Sequence, residues 1–410
     1  HNKQTFTLQL KGAGATPYSR RADGLAVLRS SIREHLCSEA MFNLGVPTTR
    51  SLSLVSTGDE VLRDVMYNGN PAMEKGAIVC RIAPSFIRFG SFELFSSQND
   101  IENLKLLADY TISNYYPEIQ SEGKEKHIEF FKNVAEKTRE MIVHWQRVGF
   151  VHGVMNTDNM SIHGITIDYG PYGWLEDYNP NWTPNTTDAE GKRYRFGNQA
   201  NIALWNLYQL ANALYLLIEE AEPLEMILNN FAKKYDEDFS EMMLKKLGIT
   251  SKNEEIDKLI QQLLYNLEQT ETDYTIFFRN LNLINKEDSV EDCVTKINFS
   301  FYKPEEVTGI ILETWHFWFA QYLTILKEEN NSDLERKTIL NSVNPKYVLR
   351  NYMAQTAIEL AEKEDYSLID ELYSLLLNPY DEQPKFEKWY AKRPDWARQK
   401  IGSSMLSCSS

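Results

Sequence analysis

At 410 residues the chain is longer than a single hydrophobic core usually supports, so two lobes or domains are expected. The net charge of −15 argues against a nucleic-acid-binding protein, because such proteins present a basic surface. No apolar run approaches the roughly 20 residues that a membrane-spanning helix needs, so we expect no membrane partner. The chain begins at His1 rather than at a methionine, which we interpret as a truncation or a tag remnant.

The charge is unevenly distributed. Residues 1–95 carry eleven Lys and Arg and eight Asp and Glu, a net +3, which leaves −18 on the remaining residues. A basic segment inside an acidic protein suits a small anionic ligand held by one lobe. Chance surface composition explains the asymmetry equally well.

The four cysteines, Cys37, Cys80, Cys293 and Cys408, form no C-x-x-C pair, so a structural zinc site is not expected. Cys37 and Cys80 have apolar sequence neighbours, which predicts buried thiols in a reducing compartment. Cys408 lies in a polar C-terminal segment, and we predict an accessible, redox-responsive thiol on a mobile tail. A tail cysteine without a role is the alternative.

The first 95 residues predict a small mixed β-sheet with one helix. Alternating apolar residues in 6–11 predict a strand that ends at Lys11, and 50–56 and 77–82 predict two more strands. Ser31 and Glu34 have the spacing of a capping box at a helix N-terminus. The apolar stripe of that helix comprises Ile32, Leu36, Ala40 and Leu44, and the helix stops at Gly45 and Pro47.

The rest of the chain is mostly helical. Apolar spacing predicts helices over 99–116, 123–149, 198–220, 222–233, 254–270, 305–327, 346–363 and 366–377. A polar segment, 150–195, interrupts them. Because protein kinases have the same order of elements, the predicted fold class is α+β: a bilobal protein-kinase-like fold. Its lobes are a small N-lobe, 1–95, and a large helical C-lobe, 96–410, that contains the catalytic loop.

Two short β-prone runs in this loop predict a metal site. His163 and Gly164 separate the runs 160–162 and 165–167, which predicts a tight hairpin. In that register Asn159 faces Asp168, with Cβ atoms about 4.5–5.5 Å apart. An amide oxygen beside a carboxylate suits Mg²⁺ or Mn²⁺.

Asp158 directly precedes this pair and could activate an incoming hydroxyl as a general base. The alternative is that Asp158, Asn159 and Asp168 are only turn residues. The hairpin favours the functional interpretation, because kinases place a catalytic-loop Asp and Asn before a hairpin that ends in a metal-binding Asp.

Four residues of the N-terminal segment are candidates for phosphate binding. In kinases a strand lysine pairs with a helix glutamate and holds ATP phosphates, and Lys11 and Glu34 have suitable positions. The capping box is the alternative role for Glu34. Arg81 and Arg88 could grip phosphates as bidentate donors, or they could form surface salt bridges.

Several longer runs carry a specific resemblance. They are Leu8-Gln-Leu-Lys-Gly-Ala-Gly14, Thr16-Pro-Tyr-Ser-Arg20, Ala26-Val-Leu-Arg-Ser-Ser-Ile-Arg-Glu34, Arg88-Phe-Gly-Ser-Phe-Glu93, His152-Gly-Val-Met-Asn-Thr-Asp-Asn159, Ile167-Asp-Tyr-Gly-Pro-Tyr-Gly173, Asn344-Pro-Lys-Tyr-Val-Leu-Arg-Asn351, Asn378-Pro-Tyr-Asp381 and the terminal Ser-Cys-Ser-Ser. With these runs, the chain resembles the SelO (YdiU) family from Leu8 to Ser410.

The resemblance implies a pseudokinase fold that binds ATP in a flipped orientation and transfers AMP to Ser, Thr or Tyr hydroxyls of proteins, releasing pyrophosphate. It places Lys11 and Glu34 at the phosphates and Arg81 and Arg88 at the γ-phosphate end. It also gives Asn159 and Asp168 the metal, Mg²⁺ or Mn²⁺, and Asp158 the role of base. The implied location is the cytoplasm for a bacterial protein and the mitochondrion for a eukaryotic one.

Two departures from the family pattern affect these expectations. The Gly-rich Q-L-G-D-G-R-A segment that covers the nucleotide in the family is absent, which predicts an incomplete or impaired site. Pro184 stands where bacterial relatives often carry a cysteine, so the family's disulfide to Cys408 is in doubt. The rival functions are a kinase-type phosphotransferase and a catalytically inactive nucleotide-binding scaffold.

Overall fold

The computed structural model describes residues 5–17, 19 and 22–407. The described part is a mixed α+β structure that begins with a four-stranded sheet and continues mainly as helices. Its strands are β1 (Thr7–Lys11), β2 (Ala26–Val27), β3 (Arg50–Arg63), β4 (Ala72–Ala83), β5 (Phe150–Val151) and β6 (Gly173–Trp174). Its α-helices are α1 (Leu28–Asn43), α2 (Phe89–Ser97), α3 (Ile101–Tyr115), α4 (Gly123–Val148), α5 (Gln199–Ile218), α6 (Glu222–Leu247), α7 (Glu254–Gln269), α8 (Tyr274–Asn280), α9 (Val290–Ile297), α10 (Gly309–Glu328), α11 (Asp333–Val343), α12 (Asn351–Ala361) and α13 (Ser367–Leu376).

The N-terminal sheet is antiparallel, so the prediction of a mixed sheet was wrong. Strand β4 is central: it pairs with β1 and β2 along one edge and with β3 along the other, always antiparallel. A short connection joins β3 to β4, and such connections produce antiparallel neighbours. The predicted alternation in β1 is present, but Leu8 and Leu10 are exposed while Gln9 and Lys11 are half-buried.

Helix α1 begins four residues earlier than the capping box predicted. Strand β2 pairs with Gly76 and Ala77, and the helix starts directly after it with Val27 as an N-cap that makes no side-chain bond. Ser31 and Glu34 therefore lie inside the helix and form no capping box. The predicted apolar stripe is confirmed as buried, and Gly45 ends the helix with a φ of +71°.

Every predicted helical segment in the C-terminal part contains a helix, but α6 extends to Leu247 and α12 begins only at Asn351. Helices α2, α8, α9 and α11 and strands β2, β5 and β6 were missed. Helix α2 matters most here. Besides Gly90 its sequence contains three phenylalanines and three serines, so the local helix preference is weak, and the burial of Phe89 and Phe92 stabilises the helix instead.

Two hydrophobic cores support these elements. One joins α1 to α4, α5, α12 and α13, and the other lies among the later helices from the end of α6 to α11. Helix α1 thus fixes the N-terminal sheet to the helical part beside residues 150–175. Within the described ranges, no helix is both long and apolar enough to cross a bilayer.

The predicted hairpin register was wrong by one residue. Met160 pairs with Thr166 rather than with Ile167, and a four-residue turn closes with Gly164 N–H donating to Ser161 O at 3.1 Å. Gly164 has the expected positive φ of +61°. The two β-prone runs also pair with segments outside the hairpin. Ser161 of the first run forms a bridge with Arg88, and Thr166 of the second forms a bridge with Thr48.

The C-terminal segment is docked as far as Ser407, so a mobile tail over 402–407 was a wrong prediction. Leu406 forms a parallel bridge with Asn185, and its carbonyl accepts from the Thr186 N–H at 2.7 Å. Leu406 and Ser407 are buried, and Ser407 donates to the carbonyl of Val65. Backbone pairing supplies the attachment that apolar content alone did not predict. Cys408 lies outside the described residues.

Candidate active site

Lys11 and Glu34 form an ion pair between the end of β1 and the second turn of α1. Glu34 is buried, whereas the Lys11 side chain keeps 34% of its exposure. The pairing of β1 with β4 and the packing of α1 beneath the sheet bring these two residues together. Glu34 is therefore a partner of cations and not a helix cap.

Arg81, in β4, joins this pair to the polar loop. Its Nη1 donates to Glu34 Oε1 at 2.8 Å and to Asp168 Oδ1 at 2.6 Å, and its Nη2 donates to the neighbouring strand residue Gln9. Burial opposes the charge on Arg81, but the two carboxylates outweigh it and raise its pKa. Arg81 is thus a buried cation held by the protein and not part of a surface salt bridge.

Asp168 is the carboxylate at which both arginines meet. Arg88 Nη1 lies 2.6 Å from its Oδ2, on the opposite side from Arg81. Burial by itself would raise the pKa of Asp168, but the charges of Arg81, Arg88 and Lys11 hold it well below its usual range. Asp168 also has a φ of +57°, a left-handed conformation that Asp tolerates better than most residues.

The turn Thr157–Asn159 carries the other two predicted residues. Arg88 Nη1 donates to the carbonyl of Asp158 at 2.6 Å, so one guanidinium contacts both acidic positions of the loop. Asn159 Nδ2 donates to Val154 O at 2.9 Å, which fixes which end of the amide faces the protein. Extending the observed register places Ile167, not Asp168, opposite Asn159, so the two residues are not directly opposed as predicted.

His152 positions this loop, and the sequence reasoning did not include it among the site residues. Its Nε2 lies 2.8 Å from Ile167 O, and its Nδ1 accepts from the Val154 N–H at 3.4 Å. Burial lowers the pKa of His152, so the ring is neutral and both contacts fit one tautomer. The ring thereby connects Ile167, directly before Asp168, to Val154, whose carbonyl accepts from the Asn159 amide. Its place at the start of the loop motif was a usable signal.

Helix α2 supports the Asp158 turn from the other side. A Cβ at Gly90 would lie only 2.2 Å from Asp158 Oδ1, so any larger residue there would displace that carboxylate. Glu93, one turn later, accepts a hydrogen bond from the Thr157 hydroxyl. Because the sequence did not predict α2, these contacts were missed.

The arrangement has the chemistry of a phosphate-binding site. Three cations, Lys11, Arg81 and Arg88, surround carboxylates that fix their positions, and Lys11 and Arg88 are the exposed members. Across residues 5–17, 19 and 22–407, no group of three or more His, Cys, Asp or Glu side chains is arranged to hold a metal ion. The ionised Asp168 and the oriented Asn159 amide nevertheless supply the hard oxygen donors that Mg²⁺ prefers.

The comparisons identify the family. The model of the family described as protein adenylyltransferase SelO matches residues 1–377. A Flavobacterium johnsoniae protein named protein nucleotidyltransferase YdiU is 65% identical over 410 residues, which cover 100% of this chain and 78% of that protein. Proteins of the same name from Aromatoleum aromaticum and Rhodopirellula baltica are 53% and 52% identical, covering 99% and 100% of this chain and 77% and 79% of theirs. The chain belongs to the SelO family.

Proposed function

We propose that this chain transfers AMP from ATP to Ser, Thr or Tyr hydroxyls of proteins and releases pyrophosphate. The observation that carries the proposal is the buried network in which Lys11, Glu34, Arg81, Asp168 and Arg88 hold one another. Adenylyl transfer expels pyrophosphate, and preorganised cations are needed to stabilise the negative charge that develops on this leaving group. Two additional arginines on the same carboxylate meet that need.

The proposal includes a bilobal protein-kinase-like arrangement. The N-lobe spans residues 1–95, with its antiparallel sheet and α1, and the C-lobe spans 96–410, with the catalytic loop at 150–195. The contact of Arg81 in the sheet with Asp168 in the loop supports this assignment, because kinase nucleotide sites lie between the lobes. The proposed boundary near residue 95 falls within α2.

Each predicted residue then has a role. Lys11, fixed by Glu34, and the arginines bind the phosphates, with Arg88 toward the γ-phosphate end. The oxygen of the attacking hydroxyl forms a bond to the α-phosphorus, and Asp158 accepts the proton that this hydroxyl loses. The bond between that phosphorus and the bridging oxygen of the β-phosphate breaks, and pyrophosphate leaves with its electron pair.

Asn159 and Asp168 are the proposed ligands of Mg²⁺ or Mn²⁺, together with oxygens of the nucleotide. A divalent cation bound there supplies charge neutralisation to the phosphates. The protein's own contribution is to keep Asp168 ionised and its position fixed through Arg81. Since Arg88 contacts the second oxygen of Asp168 and is partly exposed, it is the arginine that can turn toward phosphate.

Labelled ATP tests the proposal against a kinase activity and an inactive scaffold. The protein is incubated with Mg²⁺ or Mn²⁺ and a protein acceptor such as casein, with the label on either the α- or the γ-phosphate. Adenylyl transfer puts the α label on the acceptor, and mass spectrometry shows an added AMP. Incorporation of the γ label identifies a phosphotransferase instead, and binding of ATP with no transfer identifies a scaffold.

A further inference from the structure

A large cavity opens beside Asp158. Its volume is about 1240 Å³, and it lies between α2 and α5, with the turn at Thr157 and Asp158 forming one end. Arg88 and Asp158 line it, whereas Lys11, Arg81 and Asp168 do not. Asp158 thus contacts the cation network through its carbonyl, which accepts from Arg88, and also lines this cavity.

The walls of the cavity suit a polypeptide better than a second phosphate compound. Ser91, Gln209 and Asn212 offer hydroxyl and amide groups for a peptide backbone, and Leu94 and Leu216 offer apolar contacts. Among the described lining residues the charged ones are Arg88, Glu93 and Asp158. Their formal charges sum to −1, so this part of the lining favours a basic segment over a second phosphate compound.

Helix α5 extends this surface beyond the cavity. Trp205, Gln209, Asn212 and Leu216 recur at spacings that place them on one face of the helix. Trp205 is partly exposed, and the guanidinium of Arg193 lies 4.5 Å from its ring. From Trp205 to Leu216 the helix rises roughly 16 Å, the reach of about five extended residues.

We propose that this cavity is the acceptor site, and that it receives an extended segment of the substrate protein with basic residues flanking the hydroxyl to be modified. The proposal rests on the adenylyltransferase function proposed above. In it, the hydroxyl lies against Asp158, the flanking cation faces the carboxylate of Glu93, and the segment continues along α5 toward Trp205.

Charge substitutions at Asn212 test the proposal. Asn212 is exposed on α5, so neither Asn212→Lys nor Asn212→Asp should disturb the fold. Gln261→Lys adds the same charge on the exposed face of α7, away from the cavity, and serves as the matched control. The probes are two dye-labelled peptides with one central serine, flanked by lysines in one and by glutamates in the other.

Binding is measured first without nucleotide, by fluorescence anisotropy, and then KM values for peptide and ATP are measured in the transfer assay. We expect Asn212→Lys to weaken binding of the lysine peptide about fivefold and Asn212→Asp to strengthen it by a similar factor, with KM for ATP unchanged. Gln261→Lys should behave as the unmodified protein.

The outcomes separate the two proposals. Peptide binding that responds to residue 212 without any AMP transfer supports the acceptor site and contradicts the proposed function. AMP transfer with peptide KM values indifferent to residue 212 overturns the acceptor site alone. A change in KM for ATP or in inhibition by pyrophosphate at residue 212 would assign the cavity to the nucleotide, and absence of peptide binding likewise overturns the proposal.

Discussion

Arg88 ties Asp168 to Asp158: its Nη1 lies 2.6 Å from the Oδ2 of Asp168 and donates to the carbonyl of Asp158 at 2.6 Å. Arg88 therefore contacts both acidic residues proposed for metal binding and proton transfer, while Arg81 holds the other oxygen of Asp168. Any ligand that draws Arg88 away must compensate for both contacts, and triphosphate oxygens, as bidentate acceptors, are able to do so.

Replacing Asp168 tests its role in transfer. We expect Asp168→Asn to lower the rate of AMP transfer by about a hundredfold or more, because the amide is a poorer cation ligand than the carboxylate. Asn is preferred over Ala because it tolerates the positive φ of this position. Label incorporation gives the rate, circular dichroism checks the fold, and Asp395→Asn, at an exposed surface carboxylate, is the control. Full activity of a folded Asp168→Asn protein would contradict the metal assignment.

The depressed pKa of Asp168 predicts that the stability difference between the unmodified protein and Asp168→Asn depends on pH. Because the folded-state pKa of Asp168 is depressed below 3.8, its charge contributes stability that is complete above the unfolded-state pKa and is lost as the pH falls below it. The difference in free energy of unfolding between the unmodified protein and Asp168→Asn should be constant from about pH 5 to 8 and shrink below about pH 4. Urea unfolding at each pH measures it. A difference that grows on acidification would show that the carboxylate is not ionised in the folded protein.

Arg88→Lys should weaken nucleotide binding about tenfold, because lysine keeps the charge but loses the guanidinium's fork. Arg88 is 23% exposed, so we expect little change in stability. Arg81→Lys should instead lose both affinity and stability, since Arg81 is buried among Glu34, Asp168 and Gln9. Calorimetric titration with ATP gives the affinities. The control is Arg63→Lys. Arg63 is similarly exposed and pairs with Asp23, and its replacement should leave ATP affinity unchanged.

Glu34→Gln distinguishes a site residue from a structural one, with Glu39→Gln as its control. Both glutamates are buried on α1, but Glu39 pairs with Arg50, which is exposed, whereas Glu34 pairs with Lys11 and the buried Arg81. Removing the Glu34 charge leaves Arg81 partly uncompensated and should cost about 3 kcal/mol of folding free energy.

Nucleotide affinity provides the decisive comparison between these two variants. It should fall for Glu34→Gln, because Lys11 loses the partner that orients it. It should be unaffected in Glu39→Gln, whose expected stability cost is about 1–2 kcal/mol. Equal ATP affinity in both variants would show that Glu34 is only structural.

Residues selected from the sequence lie together in the structure, but parts of their predicted geometry were wrong. The apolar stripe of α1 was correct because it depends on local periodicity, but the helix start was not, because β2 pairing decides it. Likewise, Gly164 has the predicted positive φ, yet the hairpin register differs by one residue. Met160 and Thr166 also form backbone bonds to distant segments. These bonds compete with the pairing inside the hairpin, and the local sequence does not reveal them.

Two further elements were missed because long-range contacts stabilise them, in one case through side chains and in the other through the backbone. Helix α2 was missed because its propensity is weak and its stabilisation comes from buried Phe89 and Phe92. The docking of 402–407 was missed because its polar composition suggested an end with nothing to bury. Its backbone is instead paired with that of Asn185 and Thr186, an interaction that composition does not reveal.

The last prediction concerns the cysteines. Cys37, Cys80 and Cys293 are buried, as expected for the first two. Burial raises the pKa of Cys37 well above its usual value and that of Cys293 to about 12, so neither thiol is ionised near neutral pH. We therefore expect Cys408 to be the first thiol labelled in the native protein.

The docking of residues 402–407 provides a further test of the Cys408 labelling prediction. Leu406 is fully buried against the loop at Pro184, so Leu406→Asp should detach the segment and accelerate labelling of Cys408 without affecting the three buried thiols. Leu334→Asp, at an exposed leucine of α11, should have no such effect. Mass spectrometry of protein treated briefly with iodoacetamide at pH 8 identifies the labelled residue. Faster labelling of Cys37 or Cys80 than of Cys408 would show that the accessible-thiol prediction is wrong, because burial would then not be controlling reactivity.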